Sequence, residues 1–396
     1  MILKFSKNIS LLVLAVMTIT LSASNPATIF AQELSKTPNF GKESTLNTVD
    51  PYTMPSDYPQ EILDWYRDNM DARSYIAIDQ ETNRVLAQQE GNKPYPIASM
   101  SKIISTYLVY QAIDEGKLSM DQMISIDPAI IDNYTSNPNL SNVGLVADQE
   151  YSVEDLLNGV LLSSGNDATS ALMWQIYGSE EAGVNAMSDL LHSWGINNFK
   201  LVSVSGTPNI ELAENIRIPG TGENDENTMS AADIALVAQH LITDFPQVLD
   251  ITNSDSYQFK AGTDYEQTLV NNNLLRAGQE YGRDGITGLK SGFTDGAGRC
   301  FVATSTENGR KVIAVTMGTF TDQSNSYWET EILLDELLKF PDLYKNEALP
   351  TNLPQADPKE DEASESDSSE SNSDKKEKTY ENKRNNPLTN FLGNLF

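Results

Sequence analysis

A serine and a lysine stand three residues apart in Pro96-Ile97-Ala98-Ser99-Met100-Ser101-Lys102-Ile103-Ile104. Ile103, Ile104, Tyr107, Leu108, Gln111 and Ala112 follow at helical spacing, and Gly116 offers a stop. A helix opened at Ser99 carries Lys102 one turn later on the same face, so the amine reaches the hydroxyl. A serine becomes a nucleophile when a neighbouring base takes its proton, and a lysine is such a base only while uncharged. Burial and a second cation both push it that way. The pair alone is a common pattern: Ser373 and Lys376 repeat it in a tail unsuited to a catalytic core. Two further groups suit the same chemistry. Ser164-Gly165-Asn166 sets a hydroxyl and an amide on a turn between two helices, where both can enter a cleft. Lys290-Ser291-Gly292 sits on a strand, where Gly292 lets a substrate backbone approach closely. Singly, these are an ordinary turn and an ordinary strand end. In this order they make a site.

The elements that must position these groups are legible in outline. Tyr75–Ile78 and Val85–Ala87 flank Glu81-Thr82-Asn83 as a hairpin. Residues 127–150 read as loops with short elements. Ser152 caps a helix through Leu156, Leu157, Val160 and Leu161 that ends at Ser163-Ser164-Gly165-Asn166. A second helix runs from near Asp167 to Gly178, and a third from Ser179 to Trp194, stopped by Gly195. Residues 206–227 are Gly-, Pro-, Asn- and acid-rich and read as an exposed insertion. Ser230–Leu241 is helical. Strand-like runs follow at 257–259, 268–270, 288–290, 300–304 and 312–317, and Trp328–Phe340 closes with an amphipathic helix. Helices in the middle and strands at both ends predict an α+β domain with a mainly antiparallel sheet.

Composition narrows the function. The chain has 396 residues, 39% of them hydrophobic, with a net charge of −29. That balance argues against nucleic acid as partner and against an electrostatic grip on an acidic membrane. Residues 355–380 hold nine Asp/Glu and four Lys, a net of only −5, so the folded part is acidic too. Lys4, Lys7, the apolar run Ile9–Leu21 and Ile29-Phe30-Ala31 read as an export signal cleaved before Gln32, with an uncleaved anchor as the alternative. The single cysteine, Cys300, lies in an apolar run and reads as a buried structural thiol. His192 and His240 lack ligand-like spacing, so neither a metal nor another cofactor is expected. The expected organisation is a signal peptide (1–31), a flexible lead-in (32–58), a catalytic domain (59–345), an acidic Ser-rich linker (346–384) and a short amphipathic segment (385–396). Leu388, Phe391, Leu392, Leu395 and Phe396 form an apolar stripe in that segment; weak membrane contact and a frayed tail are both compatible with it.

Ser-x-x-Lys, a Ser-x-Asn turn and a Lys-Thr-Gly-like strand together resemble the signature of penicillin-binding proteins and class A β-lactamases. The resemblance is nearest to the low-molecular-mass D-alanyl-D-alanine carboxypeptidases and spans about residues 60–340. It includes Leu162–Ala168, Asn227-Thr228-Met229-Ser230-Ala231, Asn273-Leu274-Leu275 and Gly288–Asp295. It implies a β-lactamase/DD-peptidase-like domain with the cleft between sheet and helical lobe, outside the cytoplasmic membrane of a Gram-positive bacterium. The implied substrate is the D-Ala-D-Ala end of a peptidoglycan stem peptide, and β-lactams are the implied inhibitors. By the same resemblance Ser99 is the acylated nucleophile and Lys102 its base, kept neutral by Lys290. Ser164 relays a proton to the leaving D-alanine, and Asn166 binds the substrate peptide. Lys290 and Ser291 hold the terminal carboxylate beside Gly292, and the amides of Ser99 and Phe293 form the oxyanion hole.

Departures from the family pattern are specific. Ser291 stands for the usual threonine, the 206–227 stretch lengthens the interval between motifs, and no room remains for the β-rich domain that often follows. Arg299 is a candidate for the extra arginine some relatives use on the carboxylate. A β-lactamase needs a further carboxylate in a Glu-x-x-Leu-Asn loop; Glu211 and Glu214 lack that pattern. A non-catalytic cell-wall binding protein of the same fold would have lost a motif, and none is lost.

Overall fold

The computed structural model describes residues 54–321 and 325–353. The export signal, most of the lead-in, the linker beyond residue 353 and the terminal segment lie outside the described residues. The first helix, α1 (Gln60–Asn69), precedes a hairpin of β1 (Ser74–Asp79) and β2 (Val85–Gln89). The helical lobe follows. It holds α2 (Lys102–Asp114), α3 (Val153–Leu162), α4 (Asn166–Tyr177), α5 (Glu180–Ser193), α6 (Ala231–Asp244) and the short α7 (Val248–Thr252). The chain returns to the sheet as β3 (Ile286–Thr294), β4 (Gly298–Glu307) and β5 (Arg310–Thr319), and α8 (Ser326–Leu338) packs behind it. The five strands are antiparallel in the order β2-β1-β5-β4-β3, so β3 forms one edge.

Strand alternation builds a core on each face. Ile76, Ile78, Val302, Ile313 and Val315 face the helical lobe, while Tyr75, Ala77, Phe301, Ala303 and Ala314 face α1 and α8. The β4 partners decide where the site strand points. Lys290 pairs with Val302 on the lobe side, and Ser291 pairs with Phe301 on the opposite side. Side chains opposite one another across antiparallel strands share a face. Helix α2 is sheathed by other elements, with Ile103, Ile104 and Leu108 fully buried; each such side chain contributes about 1.5–3 kcal/mol.

Helix ends follow their side chains. Ser152 Oγ accepts from the Asp155 amide and Ser179 Oγ from that of Ala182, while Ser230 and Asp233 form a reciprocal cap; each cap contributes ~1 kcal/mol. Gly178 ends α4 at φ 91°. The packed domain exceeds the 59–345 expected from sequence at both ends. Tyr58 is buried and donates to Leu86 O at 2.7 Å. Past Lys345, Thr351 bridges to Arg84 and the buried Asn352 donates to Ala232 O at 2.9 Å. Residues 346–353, assigned to the linker by composition, thus brace β2 and α6.

Candidate active site

A single 3₁₀ turn, Ala98–Ser101, feeds directly into α2 and presents Ser99. Ala98 stands at φ 48°, a conformation a non-glycine residue adopts only when its surroundings enforce it. Here Ser101 Oγ donates to Ala98 O at 2.7 Å and accepts from Asn227 Nδ2 at 2.9 Å. Asn227 Oδ1 in turn accepts from the amides of Val202 and Ser203. The buried Ser101 is thus a brace of the turn. Gly292 serves the same purpose from the sheet: a Cβ there would lie 2.9 Å from Ile97 O and 3.1 Å from the Ser99 amide nitrogen. The glycine expected from sequence to admit substrate backbone is required first by the close approach of the Ser99 turn. That approach sets the Ser99 amide beside the free edge of β3.

Lys102 is fully buried. Its Nζ lies 2.8 Å from Ser99 Oγ, 2.7 Å from Asn166 Oδ1 and 2.7 Å from Ser205 O. The last two atoms can only accept. A neutral amine has two N–H groups and one lone pair; with both hydrogens committed to Asn166 and Ser205, the lone pair is left for the Ser99 hydroxyl. Burial depresses the Lys102 pKa well below its ordinary value, the Lys290 charge adds to that, and Asp167 opposes it. The like-charge repulsion expected from sequence therefore ranks second to desolvation. Burial also brings Lys290 itself down to about 7, which weakens the charge it can exert at neutral pH.

The second motif occupies the α3–α4 turn. Ser164 is buried at φ 58°, and Asn166 opens α4. The Asn166 backbone N–H and Nδ2 both donate to Ser141 O, at 2.8 and 2.9 Å, which turns Oδ1 toward Lys102. Asp167 fixes the turn from behind by accepting from the amides of Val143, Gly144 and Leu145. From the sheet, Lys290 Nζ donates to Ser291 O at 3.1 Å. Phe293 is exposed, with the Arg299 guanidinium 5.9 Å from its ring centre.

Part of the site was missed by sequence reasoning. Ser203, Ser205, Thr207 and Asn209 are buried, and Thr207 Oγ1 donates to Asn166 Oδ1 at 3.2 Å. The 206–227 stretch is not an exposed insertion throughout: its first residues form the site floor, and Leu212 is buried. Glu211 accepts from the side chains of Asn137 and Asn139. The Val202-Ser203-Val204-Ser205 alternation was the available signal for a buried, strand-like segment. A backbone carbonyl as lysine anchor leaves no trace in residue type.

A serine hydrogen-bonded to a buried lysine, between a helical lobe and the edge of an antiparallel sheet, is the arrangement of the DD-peptidase-like fold. The family model for D-alanyl-D-alanine carboxypeptidase (peptidase family S11) matches residues 63–321, and the chain belongs to that family. Among solved structures it is similar to a peptidoglycan synthesis regulatory factor (PBP3) from Streptococcus pneumoniae. That likeness has 33% identity and a TM-score of 0.64 over 68% of this chain and 72% of the other. Penicillin-binding protein D2 from Listeria monocytogenes, in its cefotaxime-bound form, is 26% identical with a TM-score of 0.56, covering 67% of this chain and 96% of that one. The D-alanyl-D-alanine carboxypeptidase DacF of Bacillus subtilis is 27% identical over 263 residues, 66% of this chain and 61% of its own length. The chain thus spans about six tenths of that relative.

Proposed function

We propose that this protein is a serine-type D-Ala-D-Ala carboxypeptidase that removes the terminal D-alanine from peptidoglycan stem peptides and is inhibited by β-lactams. The observation that carries the reading is the three-way tether of Lys102 Nζ, which leaves its lone pair for Ser99 Oγ. Ser99 Oγ attacks the penultimate D-alanine carbonyl while Lys102 takes its proton. The amides of Ser99 and Phe293 stabilise the oxyanion. Ser164 passes a proton to the leaving amine, Asn166 binds the substrate peptide, and Lys290 with Ser291 binds the terminal carboxylate next to Gly292. Water then attacks the acyl-enzyme and restores Ser99.

The signal-like start of the chain supports export, and the family's substrate chemistry supports work at the outer face of the cytoplasmic membrane. Residues 59–345 carry the catalysis in this reading; 385–396 add weak, reversible membrane contact, which vesicle co-sedimentation with and without them tests. For the activity itself, the purified protein is incubated with an acyl-D-Ala-D-Ala peptide and with penicillin. Release of D-alanine and a single adduct on Ser99 are expected. Penicillin hydrolysed without an accumulating adduct would instead make the protein a β-lactamase.

A further inference from the structure

Ser205 O anchors Lys102, and the two residues before it are gripped by side chains through both of their backbone groups. Asn227 accepts from the Ser203 amide at 3.1 Å and donates to Ser203 O at 2.8 Å. Val204 is held by two residues: its amide donates to Glu180 Oε1 at 2.7 Å, and its carbonyl accepts from Ser105 Oγ at 2.6 Å. Ser105 lies one turn beyond Lys102 on α2, and Glu180 is the first residue of α5. Glu180 is buried, and its other oxygen accepts from Trp174 Nε1, on α4, at 2.8 Å. Helix α5 comes this close because residue 183, one turn after Glu180, is glycine; a Cβ there would lie 2.7 Å from Val204 Cγ1.

We infer that Glu180 is a positioning residue for the base, setting the Ser205 carbonyl on Lys102 through the amide of Val204. This rests on the carboxypeptidase reading, in which Lys102 takes the Ser99 proton. A buried carboxylate is costly unless donors meet its oxygens; here one N–H group meets each. Val204 is clamped on one side of Ser205, and Gly206 is seated against Ala98 on the other. The Ser205 carbonyl between them is thereby aimed at Nζ. Without the Glu180 bond that carbonyl is free to swing, and Nζ loses an acceptor. An ammonium depends on such an acceptor more than a neutral amine does, so Lys102 would give up its proton more readily. The neutral amine would also have one hydrogen uncommitted, and its lone pair would no longer be held on Ser99 Oγ. The charges acting on Lys102 are those of Lys290 and Asp167. The buried Tyr134 phenol near Glu180 is held neutral.

The test follows Lys102 itself, by carbon NMR of its ε-methylene in the full chain labelled on lysine, with the signal assigned from Lys102→Met. Glu180→Leu fills the space but accepts no hydrogen bond. Its Lys102 titration midpoint should fall by about one pH unit, the worth of one hydrogen bond to a charged group. Penicillin acylation at the alkaline plateau should slow about tenfold, as for a misplaced catalytic group. Glu180→Gln removes the charge but keeps an oxygen for the Val204 amide, since the half-buried Trp174 indole has water as another acceptor; its midpoint should stay with the parent. A parent-like midpoint in Glu180→Leu would make Glu180 structural only, and an equal fall in Glu180→Gln would show its charge acting in place of its bond. Either result overturns the assignment. If Glu180→Leu does not fold, Gly183→Ala lifts α5 off Val204 and should lower the midpoint too; an unmoved midpoint there overturns it equally. The titration needs no acylation, so its outcome is separate from that of the carboxypeptidase reading, which fails if the parent releases no D-alanine and gains no penicillin adduct.

Discussion

Gly206 stands so close to Ala98 that a Cβ at 206 would sit 2.0 Å from the Ala98 carbonyl oxygen. Its φ of 82° is a second reason for glycine at this position. The Ser99 turn and the segment carrying the lysine anchor Ser205 are therefore locked together by backbone contact. Either can move only with the other.

Replacing that glycine tests the lock. Gly206→Ala must push the Ser99 turn away or detach Ser205 O from Lys102, and misplacement near 1 Å costs on the order of 100-fold in rate. We expect penicillin acylation to slow by about that factor while circular dichroism stays that of the folded chain. Acylation within a factor of three of the parent would show that the turn tolerates displacement.

Nucleophile and brace separate cleanly. Ser99→Ala should abolish penicillin labelling with little change in melting temperature. Ser101→Ala should lower both, because Ser101 is buried and bonded to Ala98 and Asn227; leaving such groups unpaired costs roughly 1–3 kcal/mol. Mass spectrometry and thermal melts of the two variants check this. Labelling that survives in Ser99→Ala would move the nucleophile elsewhere.

Asn166 offers a charge test of the base. Asn166→Asp places a carboxylate where the amide oxygen stands 2.7 Å from Lys102 Nζ. A neighbouring anion stabilises the ammonium and raises its pKa. With Lys102 as the base, acylation is expected to rise with pH as Lys102 loses its proton, so in the variant the rising limb should shift to higher pH and the rate at neutral pH should fall at least about tenfold. An unshifted limb would remove Lys102 from the base role.

Lys290 links the site to stability. Burial holds its folded pKa at about 7 against an ordinary value of 10.5, so the unfolded chain binds the extra proton between those limits. Stability then rises with pH across that window, by up to about 1.4 kcal/mol per unit. The full penalty is present below about pH 7. Lys290→Met should therefore be more resistant to urea than the parent at pH 7, with the gap closing toward pH 10. A gap independent of pH would mean that the lysine is not buried as a neutral group.

Sequence alone resolved what depends on side-chain type and spacing. The Ser99–Lys102 pair, the Ser164–Asn166 turn and the strand of Lys290 all fall where periodicity and capping place them. Helix starts were readable at the caps Ser152 and Ser230, whereas the Asn325 cap of α8 was not, and that helix was expected to begin only at Trp328. The misses share a physical cause: they depend on the backbone of distant segments. Ser205 contributes a carbonyl, Gly206 and Gly292 an absence of Cβ against residues 97–99, and Asn227 a clamp on the amides of residues 202 and 203. The ranking of burial over Lys290 in depressing Lys102 was likewise illegible, since spacing gives neighbours and not solvent exposure.

The strand order has a consequence for how the molecule comes into being. β1 finds its central partner only in β5, with Ile76 opposite Val315, and the whole helical lobe lies between them in the chain. Contacts of such span form slowly, because a long loop must close before anything rewards its closure. Until residue 319 is available the β1–β2 hairpin has no strand neighbour, and the β3–β4 pair that carries Lys290 is not joined to it. A chain without β5 therefore lacks the assembled sheet against which the site is built. Covalent capture by a β-lactam would mark the moment at which the last strand closes the sheet, making the antibiotic a clock for folding.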